Sequence, residues 1–248
     1  MYSIVVVGLE GSERDQDVLA AARLLAAADD ELVHVALQGR SAANLRAVAA
    51  ERGAGLIVVG GASRSTLDRL VRGDDTLAAV HSASCPVLVA PVGYAGGEPR
   101  IERIGVAYDG SPQSERALVQ ARPLAERYGA KVMVRNAAAV PAYDHGNWAE
   151  ALFDIDRELR ERVRRVLGDK LEVEVSVGFG PPRLELAAFS DGVDLLICGA
   201  RHLGVAQRAA HRSVSDYLAA HCTCPVLIVP AAPAAAACSA EAQATHAS

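Results

Sequence analysis

Three short stretches in the second half of the chain carry residue types that could hold a phosphorylated ligand. Asp109-Gly110-Ser111 follows an apolar run, Gly199-Ala200-Arg201-His202 follows another, and Arg212-Ser213-Val214-Ser215 stands at a predicted helix start. An acid, a glycine and a helix N-terminus thus converge. A helix start presents unbonded N–H groups and the positive end of aligned peptide dipoles, which suits phosphate. The candidate binding residues are Asp109, Gly199, His202, Arg212, Ser213 and Ser215. Ser213 has a second reading, as the residue that caps the helix. Arg201, His202, Arg208, His211 and Arg212 fall within twelve residues. They form an anion pocket on one reading and solvated loop charges on the other.

Other constellations are thinner. His221-Cys222-Thr223-Cys224 offers metal-ligand atoms, but alternation along a strand would put both thiols on one face, and the separated second pair of a zinc site is missing. Gly61-Ala62-Ser63-Arg64-Ser65 lacks the closing glycine of a nucleophile elbow. Neither a G-x-G-x-x-G turn nor a Walker lysine follows any predicted strand. His34 and His81 stand alone, and the irregular stretch 141–150, with Tyr143, His145 and Trp148, reads as an exposed connection that could carry a ligand or partner. No catalytic residues are assigned.

The elements that must position these residues repeat. Ser84-Cys85-Pro86-Val87-Leu88-Val89-Ala90-Pro91 returns as Thr223-Cys224-Pro225-Val226-Leu227-Ile228-Val229-Pro230, 139 residues later, and Leu56 to Gly60 returns as Leu195 to Gly199 at the same offset. The opening run Ile4–Ser12 returns as Ile104–Ser111 with an offset of only 99 between the two serines, so the second half holds about 40 additional residues. Short β-branched runs alternate with helical stretches, which implies parallel strands joined by crossover helices. The first half reads as strands at 3–9, 31–37, 55–60 and 86–90, with helices at 13–28, 41–52 and 73–82. The second reads as strands at 103–108, 131–136, 171–177, 194–199 and 225–229, with helices at 113–128, 149–167, 182–190 and 212–221. The extra residues are one strand-helix unit. Its loss from the first half belongs at a sheet edge, because loss from the middle would strip partners from two strands.

These motifs resemble the universal stress protein family: the strand ending in Asp109-Gly110-Ser111, the apolar strand ending in glycine, and the closing Cys-Pro-Val-Leu strand, over about 225 residues in two tandem copies. The resemblance implies an α/β fold of two open, parallel-sheet, Rossmann-like domains of the adenine nucleotide alpha-hydrolase type, the first shortened. The expected boundaries are 1–91 for the truncated domain, 92–100 for a Gly/Pro-containing linker, 101–230 for the full domain and 231–248 for a disordered Ala-rich tail. It also implies that the domains pair through their last strands as an intramolecular pseudo-dimer, with homodimerisation open to test and the edge left by the shortened domain offered to a protein partner. ATP-binding members carry Gly, two residues, Gly, nine residues, then Gly and Ser or Thr, where small residues let the backbone wrap phosphates. Here the second half has Gly199, His202 and Arg212-Ser213; the first has Gly60, Ser63 and Gly73-Asp74, with Glu10 in place of the strand-ending aspartate. Asp74 would meet a phosphate with like charge, so no ATP is expected in the first half. In the second, added side chains narrow the cradle while Arg212 adds a charge-assisted donor. An adenine nucleotide is therefore expected to bind weakly or not at all, with Asp109 toward the ribose and Ser213 and Ser215 toward phosphate.

Composition removes other classes. The 248 residues are 51% hydrophobic and 22% charged, enough to bury a core, and a net charge of −5 gives no overall attraction to nucleic acid or anionic lipid. One tryptophan and 4% aromatics argue against stacking platforms. No apolar run is long enough to span a bilayer and no signal-peptide pattern opens the chain, so a cytoplasmic location is expected. Five cysteines without paired spacing read as reduced, buried thiols. The expected function is a stress-response regulatory or ligand-sensing module without enzymatic activity. A protein-interaction scaffold with no nucleotide site and a slow ATP hydrolase or phosphotransferase are the alternatives.

Overall fold

The computed structural model describes residues 2–37, 41–61, 83–97, 100–138, 148–200 and 213–230. The first half contains β1 (Ile4–Leu9), α1 (Asp15–Leu25), β2 (Glu31–Ala36), α2 (Ser41–Arg52), β3 (Leu56–Gly60) and β4 (Val87–Ala90). The second contains β5 (Arg103–Tyr108), α3 (Pro112–Tyr128), β6 (Lys131–Ala138), α4 (Trp148–Leu167), β7 (Val173–Phe179), α5 (Pro182–Ser190), β8 (Leu195–Gly199), α6 (Val214–His221) and β9 (Val226–Val229). Every expected strand forms. The helix expected at 73–82 and the tail at 231–248 lie outside the described residues. Helix α1 is shorter than expected: Ser12 to Arg14 form a turn, with the Asp15 amide bonded to the Ser12 carbonyl, and Ala26 is already extended, with ψ 147°.

All the strands join one sheet in the order β2-β1-β3-β4-β9-β8-β5-β6-β7. Each neighbouring pair is parallel except β4 and β9, which meet antiparallel. The central strands β3, β4, β8 and β9 are buried nearly throughout, which explains their uninterrupted Val, Leu and Ile runs. Helices α1, α3 and α4 pack on one face through residues such as Leu25, Leu118 and Val163. Helices α2, α5 and α6 cover the other through Leu45, Leu186 and Leu218.

The repeat becomes a local two-fold symmetry. Across the β4–β9 seam Leu88 pairs with Leu227, Val87 with Ile228 and Val89 with Val226. Leu227 is the repeat equivalent of Leu88, so these two sit on the axis and the flanking pairs exchange. The register Val5–Leu56 in the first half likewise returns as Ile104–Leu195. The seam consumes what would be an exposed apolar edge on each half.

The unit that the first half lacks is α4 and β7. Strand β6 lies between β5 and β7, whereas its counterpart β2 forms the outer edge. Val132 and Val134 of β6 are fully buried beneath α4, but Leu32 is 37% exposed and His34 is exposed at the equivalent places on β2.

Side chains of α3 fasten the halves together. The Tyr128 hydroxyl donates to the Leu24 carbonyl, and Arg127 donates to the Leu25 and Ala26 carbonyls, both at 3.0 Å. These are the acceptors that α1 leaves unbonded at its C-terminus. Gln120 donates to the Tyr2 hydroxyl at 2.7 Å. On the first half, buried Asp17 accepts from the Gly93 and Ala95 amides, both at 2.8 Å, and so holds the 3-10 turn Tyr94–Gly96 that follows β4.

Candidate functional site

The chain leaves β5 for α3 on one face of the sheet, while α6 lies on the opposite face between β8 and β9. Because β5 and β8 are neighbours, their carboxyl ends mark the point where the winding direction reverses, the usual place for a crevice in such sheets. A cavity of about 340 Å³ opens there. Its apolar floor includes Ala107, Ala137, Leu186 and Cys198, and its polar rim includes Asp109, Ser111, Ser114, Ser213 and Ser215. Among the described residues that line it, Asp109 is the only carboxylate.

Four of the six candidate residues, Asp109, Gly199, Ser213 and Ser215, therefore meet in one crevice. His202 and Arg212 lie outside the described residues, as do Arg201, Arg208 and His211. Sequence reasoning missed Ser114, Ala137 and Leu186. Ala137 lies in β6 beyond residue 136, where that strand was expected to end, and neither Ser114 nor Leu186 stands just after a strand.

Local chemistry fixes each rim group. Asp109 Oδ1 accepts from the Ser111 amide at 3.0 Å, and Gly110 takes φ +77°, so the chain turns sharply out of β5. Ser111 then caps α3, accepting from the Ser114 amide at 3.2 Å, with Pro112 in the first turn. Ser213 caps α6 in the same way, accepting from the Asp216 amide at 3.1 Å, and its Oγ lies 3.0 Å from that of Ser215. Its capping role and its place on the rim thus coexist. Ser215 is only 4% exposed. Gly199 has a packing reason of its own: a Cβ there would stand 2.5 Å from the Gln113 carbonyl oxygen, so only glycine lets the first turn of α3 approach β8.

The thiols are held protonated. Burial pushes Cys198 and Cys224 well above the ordinary range and Cys222 up to about 11, which leaves little thiolate for nucleophilic or ligand chemistry near neutral pH. Cys222 and Cys224 were expected on one strand face but both precede β9: Cys222 ends α6, and Pro225 delays the strand to Val226. His221 stacks on Tyr217 with ring centroids 3.9 Å apart, and its Nδ1 lies 2.8 Å from the Tyr217 carbonyl oxygen. Among the described residues there is no cluster of three or more metal-ligating side chains, and no helix is long and apolar enough to cross a membrane.

Comparison with known proteins agrees with this architecture. The model of the universal stress protein family matches twice, at residues 8–91 and 100–230. A universal stress protein of Thermus aquaticus is 30% identical over 138 residues, covering 50% of this chain and 95% of that protein. One of Staphylococcus haemolyticus is also 30% identical over 138 residues, covering 52% and 84%. Among solved structures, a universal stress protein of Archaeoglobus fulgidus superposes with a TM-score of 0.67 at 14% identity, over 92% of this chain and 96% of that one. A similar protein of Pseudomonas aeruginosa gives 0.59 at 16% identity, over 92% and 82%. With both halves matched and their strands in one palindromic sheet, the chain belongs to the universal stress protein family as a tandem of two such domains.

Proposed function

We propose that the crevice of the second half binds an adenine nucleotide weakly, and that the chain is a cytoplasmic regulatory or ligand-sensing module in the stress response rather than an enzyme. The observation that carries this reading is the 340 Å³ cavity where Asp109, Ser213 and Ser215 rim a floor of Ala107, Ala137 and Cys198. An apolar floor suits a planar base, the carboxylate can accept from ribose hydroxyls, and the starts of α3 and α6 give the rim a positive bias toward phosphate. His202 and Arg212 replace two glycines of the family pattern, which supports weak rather than tight binding. Among the described residues, the lining has one carboxylate and one thiol, Cys198, held protonated by burial, and offers no paired acid and base, which supports binding over catalysis.

Titration calorimetry of the full chain with ATP, ADP and AMP tests this. Saturable binding weaker than micromolar is expected. Sub-micromolar ATP binding would overturn the weak assignment, and no heat with any of the three would overturn the nucleotide assignment. The bare Leu32 and His34 on edge strand β2 favour a second reading, a scaffold that receives a protein partner at that edge.

A further inference from the structure

In the first half, groups of the chain itself stand where the second half has the floor of its crevice and the turn beside it. Register places Gly8 and Leu37 where the second half has Ala107 and Ala137, the two alanines of the crevice floor. Leu37 lies directly over Gly8: a Cβ on Gly8 would stand 2.8 Å from Leu37 Cδ1, 3.3 Å from its Cγ and 3.4 Å from its Cδ2. The isobutyl group thus occupies the apolar space that is open above Ala107. A second contact closes the polar side. Asp15 accepts from the Glu10 amide through Oδ1 and from the Gly11 amide through Oδ2, both at 2.9 Å. Gly11 takes φ +74°, matching the +77° of Gly110, so these amides form the concave turn that elsewhere accepts anions. Four residues beyond Gly110 the second half has Ser114, a neutral residue whose hydroxyl donates to the Ser111 carbonyl at 2.9 Å.

We propose that Leu37 and Asp15 are internal stand-ins for the apolar and anionic parts of a ligand, so that the first half is closed and each chain offers one ligand site. The proposal rests on the crevice reading above only for the identity of that ligand. The physical argument is competition. A covalently attached carboxylate and isobutyl group are present at high effective concentration, and a free ligand must displace both. The pair also differs in kind from the acid expected at Asp74, because it acts at the strand end and the floor.

The test follows amide chemical shifts of the isotope-labelled full chain during additions of ATP and, separately, inorganic phosphate. In the native chain ATP should shift the Gly110 and Ser111 amides, leave Gly8, Glu10 and Gly11 unmoved, and saturate at one per chain. With the Asp74 charge also removed, the triple variant Leu37→Ala, Asp15→Ser, Asp74→Ser should show a second set of shifts at Gly8, Glu10 and Gly11, with saturation at two per chain, whereas Asp74→Ser alone should still saturate at one. ATP-dependent shifts at those three amides in the native chain, saturation at two in Asp74→Ser alone, or saturation still at one in the triple variant, would overturn the proposal. If ATP binds neither half of the native chain, the nucleotide reading fails, and inorganic phosphate decides the closure. Asp15→Ser should then show saturable phosphate shifts at Glu10 and Gly11 that the native chain lacks, and their absence overturns the proposal. Should Asp15→Ser not fold, Asp15→Asn is read in the same way.

Discussion

Gly60 and Gly199 are repeat equivalents at the ends of β3 and β8, and the structure predicts very unequal costs for the same substitution. Neither has a positive φ, so alanine is conformationally allowed at both. A Cβ on Gly199 would meet the Gln113 carbonyl oxygen at 2.5 Å, its carbonyl carbon at 2.6 Å and its Cβ at 2.7 Å. These are mainly backbone atoms of the first turn of α3, which must retreat by nearly an ångström to reach ordinary contact at ~3.5 Å. Among the described residues, a Cβ on Gly60 meets a methyl group of Val18 alone, at 3.3 Å, a side-chain contact that a shift of a few tenths of an ångström relieves. Overpacking against backbone costs about 1–3 kcal/mol, and Gly199→Ala belongs near the upper end. Gly60→Ala gains roughly 0.4–1 kcal/mol by restricting the unfolded chain, which offsets its small steric cost and leaves a net change near zero. Urea unfolding of both variants, followed by circular dichroism, measures the difference directly. Equal midpoint shifts, or a Gly199→Ala protein as stable as the native chain, would refute the claim that glycine at 199 is required by the approach of α3.

Further predictions concern the side chains of α3 and the buried tyrosines. Tyr128→Phe removes the bond to the Leu24 carbonyl and leaves a helix-end acceptor unpaired, so it should cost about 1 kcal/mol, and Arg127→Ala about 1–2 kcal/mol, by urea midpoint. Substitution of exposed Arg122, which pairs with Glu126 on the same helix and donates to the Val166 carbonyl only at 3.4 Å, should change stability by less than about 0.5 kcal/mol. Burial raises Tyr2, Tyr94 and Tyr108 from 10.0 to about 12. Because the folded values exceed the unfolded one, their contribution is complete below pH 10 and is lost as pH rises toward 12. Stability should therefore fall across that window, with tyrosinate absorbance lagging behind that of the unfolded chain; ordinary titration of all the tyrosines in the folded chain would contradict the burial argument.

Strands were legible because burial on both faces demands unbroken apolar runs, and such runs have few other uses in a short segment. The edge position of the missing unit was legible for a related reason, since only there does deletion spare the ladders of neighbouring strands. The start of α3 was legible to within one residue from its cap, Ser111, whereas α6 was placed two residues early, at 212, although Ser213 caps it. At α1 the N-cap position is Arg14, with no side-chain cap, so its start was placed too early. What remained hidden were bonds from side chains to distant backbone: Asp17 to Gly93 and Ala95, and Arg127 and Tyr128 to the end of α1. These join residues more than 70 positions apart and leave no periodicity behind them. The crevice residues after β5 and β8 were found by the rule of strand ends. Ser114 and Leu186 were not, because each belongs to a helix that passes the crevice.

The missing edge unit and the closure of the first crevice are connected through one strand. Strand β6 is paired on both sides, and its last two residues, Ala137 and Ala138, are held in register by Gly178 and Phe179 of β7. With β7 absent from the first half, β2 stops at Ala36, the equivalent of Asn136, and the next residue is no longer held by an outer neighbour. Leu37 keeps its amide bond to the Leu9 carbonyl at 2.7 Å and packs over Gly8. A leucine at this place in the full domain would compete with any ligand resting on Ala107, whereas a glycine at position 8 makes room for it. On this account, shortening one half did not merely expose β2. It released the end of that strand to fill the space where a ligand would lie, while the complete half keeps its crevice open.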